Sequence, residues 1–445
     1  MSRDLSTVSG VRSPILWLYS LLMLVVWAML RACGFFVPGM NRRLRARVWS
    51  RETLKEVRRI RQAHQKSVLF YCSSAGEFEQ AKPLIKKYEA DDSSWAVFII
   101  FFSESGLRFA RARDEARFVH LCPPDTIWHW RKILDEIAPD LTFVVRYALW
   151  PAFLVEAKKR GQLLLIDGVL SPGVLKSSLR RWITGGLFRL FDGLFVARHK
   201  DREFFQSLGV AADRAVVVGD TKFDRVVERA DQRRKSISSW KHWFDHRYGP
   251  QKRAVVGSGW PEDIKLVLGA FRQGMKDHTL HGWQVILAPH DLSPKMLSWV
   301  EREVSSYGFA WARMSTLLDE VGQDCRDVPV VILDRLGLLS DIYGIAHLAF
   351  VGGGLHHRVH NVLEPAVFGL QLFFGPRFET SMEASHLVER GLASVVSEES
   401  SMLALWSLVS QQSNQMNQRL ADEVVALSGA ADRIKKHMNM ALSDG

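Results

Sequence analysis

The sequence predicts an α/β protein: two Rossmann-like, doubly wound domains facing a cleft, preceded by one apolar membrane-anchor helix. Three observations carry this. Short, wholly apolar runs alternate with amphipathic stretches, and strands apolar on both faces belong to parallel sheets covered by helices. The alternation occurs twice, on either side of a polar, basic stretch at 229–253. An apolar run at 15–30 lies near the start of the chain. The 445 residues are enough for two domains of ~100–200 residues each. A composition of 47% hydrophobic and 24% charged residues leaves most of the chain to fold around buried cores. The expected division is an anchor at 1–40, a first domain at 41–228, a linker at 229–253, a second domain at 254–400, and helices at 401–445 that pack back across the domains.

The run at 15–30, ILWLYSLLMLVVWAML, is interrupted only by Ser20 and is flanked by Arg12 and Arg31. Extended through Val37, it reaches the ~20 apolar residues that a membrane span needs. No small-x-small cleavage site follows it, and it lacks the polar face of a surface helix. Arg42, Arg43, Arg45, Arg47, Arg51, Lys55, Arg58, Arg59 and Arg61 come next. Positive residues stay on the cytoplasmic side and attract anionic lipid. The expectation is a single anchor in, or lying on, the inner (cytoplasmic) membrane, with the domains on its cytoplasmic side. The net charge of +11 favours anionic partners such as a membrane surface or phosphorylated substrates. Zinc-finger spacing and RNA-binding aromatic patterns are absent, so no nucleic acid is expected. Cys33, Cys72, Cys122 and Cys325 are far apart and form no CxxC pair, which argues against a disulfide framework and a structural zinc site.

In the first domain the apolar runs at 67–72, 95–102, 141–145, 163–166, 193–197 and 215–218 read as strands. Helical patterns such as 78–89 and 128–136 separate them. After the linker the strands resume at 254–256, 283–287, 330–333, 348–351 and 371–374. Ligands of such sheets gather beyond the carboxyl ends of the strands, so the residues there are the candidates for chemistry.

The first candidate segment is CSSAGEFE at 72–79, where a strand gives way to a helix. Small residues at Ser74 and Gly76 let a ligand approach the backbone, and Glu77 is the carboxylate best placed to face the cleft. The bare pattern also fits an ordinary turn with acids set against the helix dipole. RYALWP at 146–151 puts Arg146 at another strand end. GDTKFD at 219–224 offers Lys222 between two aspartates, either as a phosphate-stabilising cation or as a solvated side chain. In the second domain Gly257 and Ser258 form a Gly-rich turn that can cradle phosphate. Pro289 with His290, and Leu336 with Gly337 and Leu338, also follow strands. The longest segment is VGGGLHHRVHNVLEPAVFG at 351–369. Its glycines, Gly353 among them, follow a strand, and His360 and Asn361 are read as opening a helix. That helix carries Val362, Leu363 and Glu364, an arrangement suited to a phosphate and to ribose hydroxyls. Three histidines invite a metal, but no carboxylate or cysteine stands at ligand spacing, so none is expected.

Taken together, these motifs resemble the bacterial lipid A 3-deoxy-D-manno-octulosonic acid (Kdo) transferases over nearly the whole chain. The resemblance is carried by the anchor and basic stretch, SSAGE, FFSESG, LWP, GDTKFD, GSGWPED, APH, and VGGGL…HNVLEPAVFGLQLFFGP. It implies the GT-B fold and an inverting glycosyltransferase that moves Kdo from CMP-Kdo to a lipid A precursor (lipid IVA) in lipopolysaccharide biosynthesis. It implies no cofactor and no metal. Glu77 matches the family's catalytic base, and Lys222 matches a lysine that stabilises the transition state. Pro289, His290, Leu336, Gly337 and Leu338 match loops that contact CMP, and 361–364 match the segment that binds its phosphate and ribose. The chain departs from the family pattern in four places. An acidic ETE is replaced by Arg146, Tyr147 and Ala148, and arginines by Val169 and His290. Leu338 replaces an acidic residue. Two alternatives remain: a related GT-B glycosyltransferase or sugar-nucleotide epimerase with another donor, and a catalytically silent membrane scaffold.

Overall fold

The computed structural model describes residues 13–34, 36–37, 39–91, 94–112, 118–146, 148–169, 177–319, 328–411 and 415–443. Arg12, Phe35, Tyr147 and Cys325 lie outside these residues. Two compact units emerge. The first comprises Met1–Arg225 with Leu427–Gly445, and the second Val226–Ala426.

The first unit is built on seven parallel strands: β1 (Lys66–Cys72), β2 (Trp95–Phe101), β3 (Val119–Leu121), β4 (Leu141–Val145), β5 (Gln162–Gly168), β6 (Gly193–Val196) and β7 (Ala215–Val217). Their order is β3-β2-β1-β4-β5-β6-β7. The chain winds outward from β1 through β3, then returns to β4 and winds the other way. Neighbours β1 and β4 therefore define a switch point, where the loops beyond adjacent strands diverge and leave a crevice. Alternate residues of β1 enter two cores. Leu69 and Tyr71 pack with Phe98, Val144 and Phe153, while Val68, Phe70 and Cys72 pack with Phe78, Phe143 and Val145. Side chains buried on both faces explain why these strands read as unbroken apolar runs. Phe70 stacks on Phe143 with ring centroids 5.1 Å apart. The helix Ala430–Ser443 joins the second core through Ala431, Ile434 and Met438.

The second unit repeats the plan with β8 (Lys252–Gly259), β9 (Trp283–Pro289), β10 (Trp311–Arg313), β11 (Val330–Ile332), β12 (Leu348–Val351), β13 (Gln371–Phe374) and β14 (Ser394–Val395). The order is β10-β11-β9-β8-β12-β13-β14, again parallel throughout, with the switch point between β8 and β12. The helix Glu399–Gln411 sits against Pro261–Lys276 so closely that a Cβ on Gly269 would meet the Glu399 carboxylate at 2.1–2.3 Å.

Two stretches read from the sequence take a definite form here. The stretch 229–253 is mostly helical: it is the body of the helix Thr221–Tyr248, a turn at Gly249, and the first residues of β8. It has no proline before Pro250, and sparse apolar content hid the helix. The apolar helix spans Ser13–Cys33 and stops short of Val37. Gly34 follows its end, and an added Cβ there would meet the Asn41 side chain at 2.5 Å. Ser13–Cys33 is nevertheless long and apolar enough to cross a membrane.

Candidate active site

In the first unit the helix Ala75–Glu89 starts directly beyond β1. Ser74 caps it, its hydroxyl accepting from the Glu77 N–H at 3.3 Å. Glu77 occupies the third helical position, where a capping-box glutamate would reach back to the cap residue. Its carboxylate instead accepts from the Ser73 N–H and is half-buried. Burial pushes the Glu77 pKa up, opposed by the Ser73 hydrogen bond and the Arg146 charge. Gly76 is exposed beside it, with Ser74 Oγ the nearest atom to an added Cβ at 3.8 Å. The neighbouring acid, Glu79, is engaged by Arg225 at 2.8 Å.

Arg146 follows β4 in the left-handed conformation (φ 58°), which is uncommon for a residue with a side chain. Its backbone N–H bonds the Ile166 carbonyl at 3.0 Å, and its guanidinium lies 4.0 Å from Asp220. Its Nε is buried without a hydrogen-bond partner among the described residues. Lys222 Nζ stands 3.1 Å from the same Asp220 carboxylate. Asp167, fully buried near the carboxyl end of β5 and also left-handed (φ 52°), accepts from the Thr221 N–H at 2.9 Å and the Thr221 hydroxyl at 2.5 Å. Burial first, then the nearby Asp220 charge, raises its pKa to about 7. The strand ends thus gather three carboxylates (Glu77, Asp167, Asp220) with two cations (Arg146, Lys222). Sequence reasoning missed Asp167 as a site residue. Its only signal is a lone acid directly after an apolar strand. Of the departures, Ala148 and Val169 are buried.

The second unit's site is aromatic and glycine-rich. Ser258 is left-handed (φ 52°), and the pairing of β8 with β9 slips between Gly257 and Gly259. A Cβ on Gly257 would fall 1.7 Å from the Tyr343 hydroxyl, so only glycine fits. Gly353 (φ 93°) brings Arg358 O to 2.2 Å of a notional Cβ and also requires glycine. Trp260 links the loops. It stacks on His290 with centroids 3.7 Å apart and planes 14° apart, and its Nε1–H donates to His360 Nε2 at 3.1 Å. Burial, then the charges of His290, Arg358 and His357, lowers the His360 pKa and favours a neutral ring. Asp263 ties two loops together, accepting from the Trp260 N–H at 2.9 Å and the Gly353 N–H at 2.8 Å. Trp260 and Asp263 had no place among the expected site residues. A tryptophan directly after the Gly-rich turn is the one hint the sequence holds.

The remaining expected residues surround this centre unevenly. Pro289 is buried at the end of β9. Leu336 is exposed, while Gly337 (φ 89°) accepts from Arg233 through its carbonyl at 3.4 Å and Leu338 is half-buried. Asn361 is exposed, and its Oδ1 accepts from the Leu363 N–H at 3.1 Å. The helix expected to open at His360 is only Leu363–Ala366, cut short before Gly369 in left-handed conformation (φ 69°). Val362 and Leu363 turn their side chains into the core, so only their backbone can face a ligand. Glu364 pairs with Arg229 at 3.3 Å and lies close enough to influence Tyr343.

Two parallel, doubly wound units of this kind define a GT-B-like protein. A UDP-GlcNAc 2-epimerase from Neisseria meningitidis shares the fold at TM-score 0.61 and 12% identity, covering 84% of this chain and 100% of its own. A glycosyltransferase from Rickettsia africae does so at TM-score 0.53 and 10% identity, covering 84% and 97%. Residues 43–225 match the model of the 3-deoxy-D-manno-octulosonic-acid transferase (Kdo transferase) family. The 3-deoxy-D-manno-octulosonic acid transferase of Chlamydia trachomatis is 27% identical over 366 residues, spanning 78% of this chain and 79% of that protein. Residues 43–225 thus match the N-terminal part of the Kdo transferase family, and most of the chain is similar to Kdo transferases at 26–27% identity. The resemblance read from the motifs is borne out.

Proposed function

We propose that this protein is an inverting glycosyltransferase that moves Kdo from CMP-Kdo to a lipid A precursor, lipid IVA, at the cytoplasmic face of the inner membrane. The observation that carries the reading is the disposition of Glu77. It is a half-buried carboxylate at a switch point, held by one backbone N–H, and burial makes it a stronger base than an ordinary glutamate. In this reading Glu77 takes the proton from an acceptor hydroxyl as that oxygen attacks the anomeric carbon of Kdo. The bond to CMP breaks with inversion, and the electron pair leaves on the CMP phosphate.

Charge on the leaving group requires stabilisation, and preorganised cations and N–H donors supply it efficiently. Lys222 is the proposed stabilising cation. Arg146 supplies positive charge beside Glu77 and suits the carboxylate of the donor sugar. In the second unit the loops at Gly257–Ser258, Gly353 and His360–Glu364 are proposed to take the CMP phosphate and ribose. Pro289–His290 and Leu336–Leu338 are proposed to flank the base. The family-like chemistry needs no metal, because lysine, arginine and backbone donors supply the charge. The anchor and basic stretch suit a lipid acceptor.

The test is direct. Purified full-length protein is incubated in detergent with CMP-Kdo and tetra-acylated lipid A precursor, and products are read by mass spectrometry. The expected product carries added Kdo. No product with CMP-Kdo, alongside turnover of another nucleotide sugar, would overturn the reading.

A further inference from the structure

The apolar helix Ser13–Cys33 does not project away from its unit; one face lies along it. Leu16 is buried in the core that holds Tyr71 and Trp130. Tyr19 donates to Asp125 at 2.8 Å, Ser20 accepts from the Ile127 N–H at 3.2 Å, and Trp17 meets Trp128 edge-on at 5.0 Å. Asp125 is itself held by Trp130, Ala152 and Phe153, so the contact is anchored deep in the unit. Residues 16, 20, 23, 27 and 30 recur at helical spacing and form one stripe. Ile15, Leu18, Leu22, Val25 and Met29 are exposed on the rest of the helix.

Past Ser20 the stripe spans a cavity of about 480 Å³. Met23, Val26, Trp27 and Leu30 form one wall, and Tyr71, Phe102 and Trp150 face them. The size lies within the ~300–1,000 Å³ range of small-molecule sites, and the lining is largely apolar. Its polar lining includes two arginines. Arg43, 77% exposed, lies 3.7 Å from Glu104. Arg47 bonds the Phe102 carbonyl at 2.5 Å and the Cys122 carbonyl at 3.2 Å. Asp125 also reaches the lining, already engaged as described. The cavity adjoins the Glu77 loop. The Phe102 N–H bonds Cys72 O at 3.0 Å, the Ser103 N–H bonds Ser73 O at 3.1 Å, and Ser73 in turn donates to Glu77.

We propose that this cavity holds an acyl chain of the acceptor glycolipid, with Arg43 and Arg47 facing the lipid's phosphate. The proposal rests on the acceptor reading above, since it places that acceptor's tail. An apolar cavity beside a bilayer-suited helix, lined in part by arginines, fits a lipid with an anionic head. What favours the acceptor over bulk phospholipid is position: Phe102 of the lining is bonded to the strand end that leads into the Glu77 loop. A chain entering from the leaflet would leave its sugar head close to Glu77.

The test is photo-cross-linking of full-length protein in nanodiscs. One probe is a tetra-acylated glucosamine disaccharide bisphosphate with a diazirine in one acyl chain. The control is a diazirine-bearing phosphatidylglycerol. Peptide mapping of the acceptor probe should find label at 23–30 and around Phe102, with little from the control. Val26→Trp, which fills the cavity, should reduce capture about tenfold, the loss expected if roughly two methylenes no longer bury. Arg43→Glu should reduce capture of the bisphosphate but not of a dephosphorylated probe. Label confined to other surfaces, or equal label from the phospholipid, would overturn the proposal without reference to any variant. Capture at these residues by a protein that transfers no Kdo would sink the transferase reading and leave the pocket standing.

Discussion

Glu77 and Asp263 occupy the same position in the two units and do different things. Each is the third residue of the helix that follows the first strand of its sheet, beside the switch point. Asp263 is fully buried, and one of its oxygens accepts from both the Trp260 and Gly353 N–H groups. Its charge goes into holding the glycine loops together. Glu77 keeps one backbone partner, remains half-buried, and has a cation, Arg146, in electrostatic range. The same helix-start acid is thus structural where the site is built from glycines and a tryptophan. It is the proposed base where the site is built from charges. The proposed function divides the work accordingly, with acid–base chemistry in the first unit and ligand cradling in the second.

Swapping the perturbation between these two acids gives the largest effects. Glu77→Ala should cut transfer ~100- to 10,000-fold, as general-base removal does. CMP affinity by calorimetry should stay near wild type, and the melting temperature should fall less than in Asp263→Ala, since only the part-buried Ser73 N–H loses its acceptor. Asp263→Ala should behave in the opposite way. It strands two buried N–H groups at ~1–3 kcal/mol each, so thermal unfolding should fall by several degrees and CMP binding with it. If Asp263→Ala kept full stability, or Glu77→Ala unfolded the protein, the contrast would fail.

Within the cradle the effects should be smaller. Glu364→Gln and Asn361→Ala should each weaken CMP binding, up to the ~1.5–3 kcal/mol of a charge-assisted bond for Glu364. Trp260→Leu removes the His290 stack, worth ~0.5–1.5 kcal/mol in aromatic pairs. Calorimetry should rank Glu364 above Trp260. Unchanged affinity in all three variants would put the nucleotide elsewhere.

The charged site makes two predictions about pH. Arg146 favours the ionised form of Glu77, so Arg146→Met should move the acid limb of the rate profile to higher pH. A shift to lower pH would contradict the assignment. Asp167 titrates at about 7 when folded against an ordinary carboxylate value near ~3.9 when unfolded. Between those values the folded state holds the extra proton, so this group's contribution to stability falls as pH rises through 7. Thermal melts from pH 5 to 8 should therefore flatten in Asp167→Asn, the smallest effect of the set.

Much of this contrast was legible in the sequence, because a strand buried on both faces is unmistakably apolar. Residues 141–145, 348–351 and 371–374 are read to the residue. The strands missed, β3, β10 and β14, have two or three residues each and lie at or next to sheet edges, where His120 and Arg313 break the apolar signal. The helix Thr221–Tyr248 was not legible as a helix, because its residues are mostly polar and only half-buried, leaving a sparse apolar stripe. Glu77 was legible as the carboxylate where a strand gives way to a helix, beyond the strand's carboxyl end. Asp167 and the Trp260–His290–His360 cluster were not. Their meaning lies in contacts between loops 30 to 100 residues apart, which no local period records.

The most direct test of the account is single-turnover Kdo transfer by Glu77→Gln, measured alongside CMP affinity. Glutamine keeps an oxygen for the Ser73 N–H and removes only the basic carboxylate, so it isolates proton transfer from folding. The account predicts transfer reduced by at least ~100-fold with CMP affinity unchanged. Near-normal transfer by this variant would contradict it.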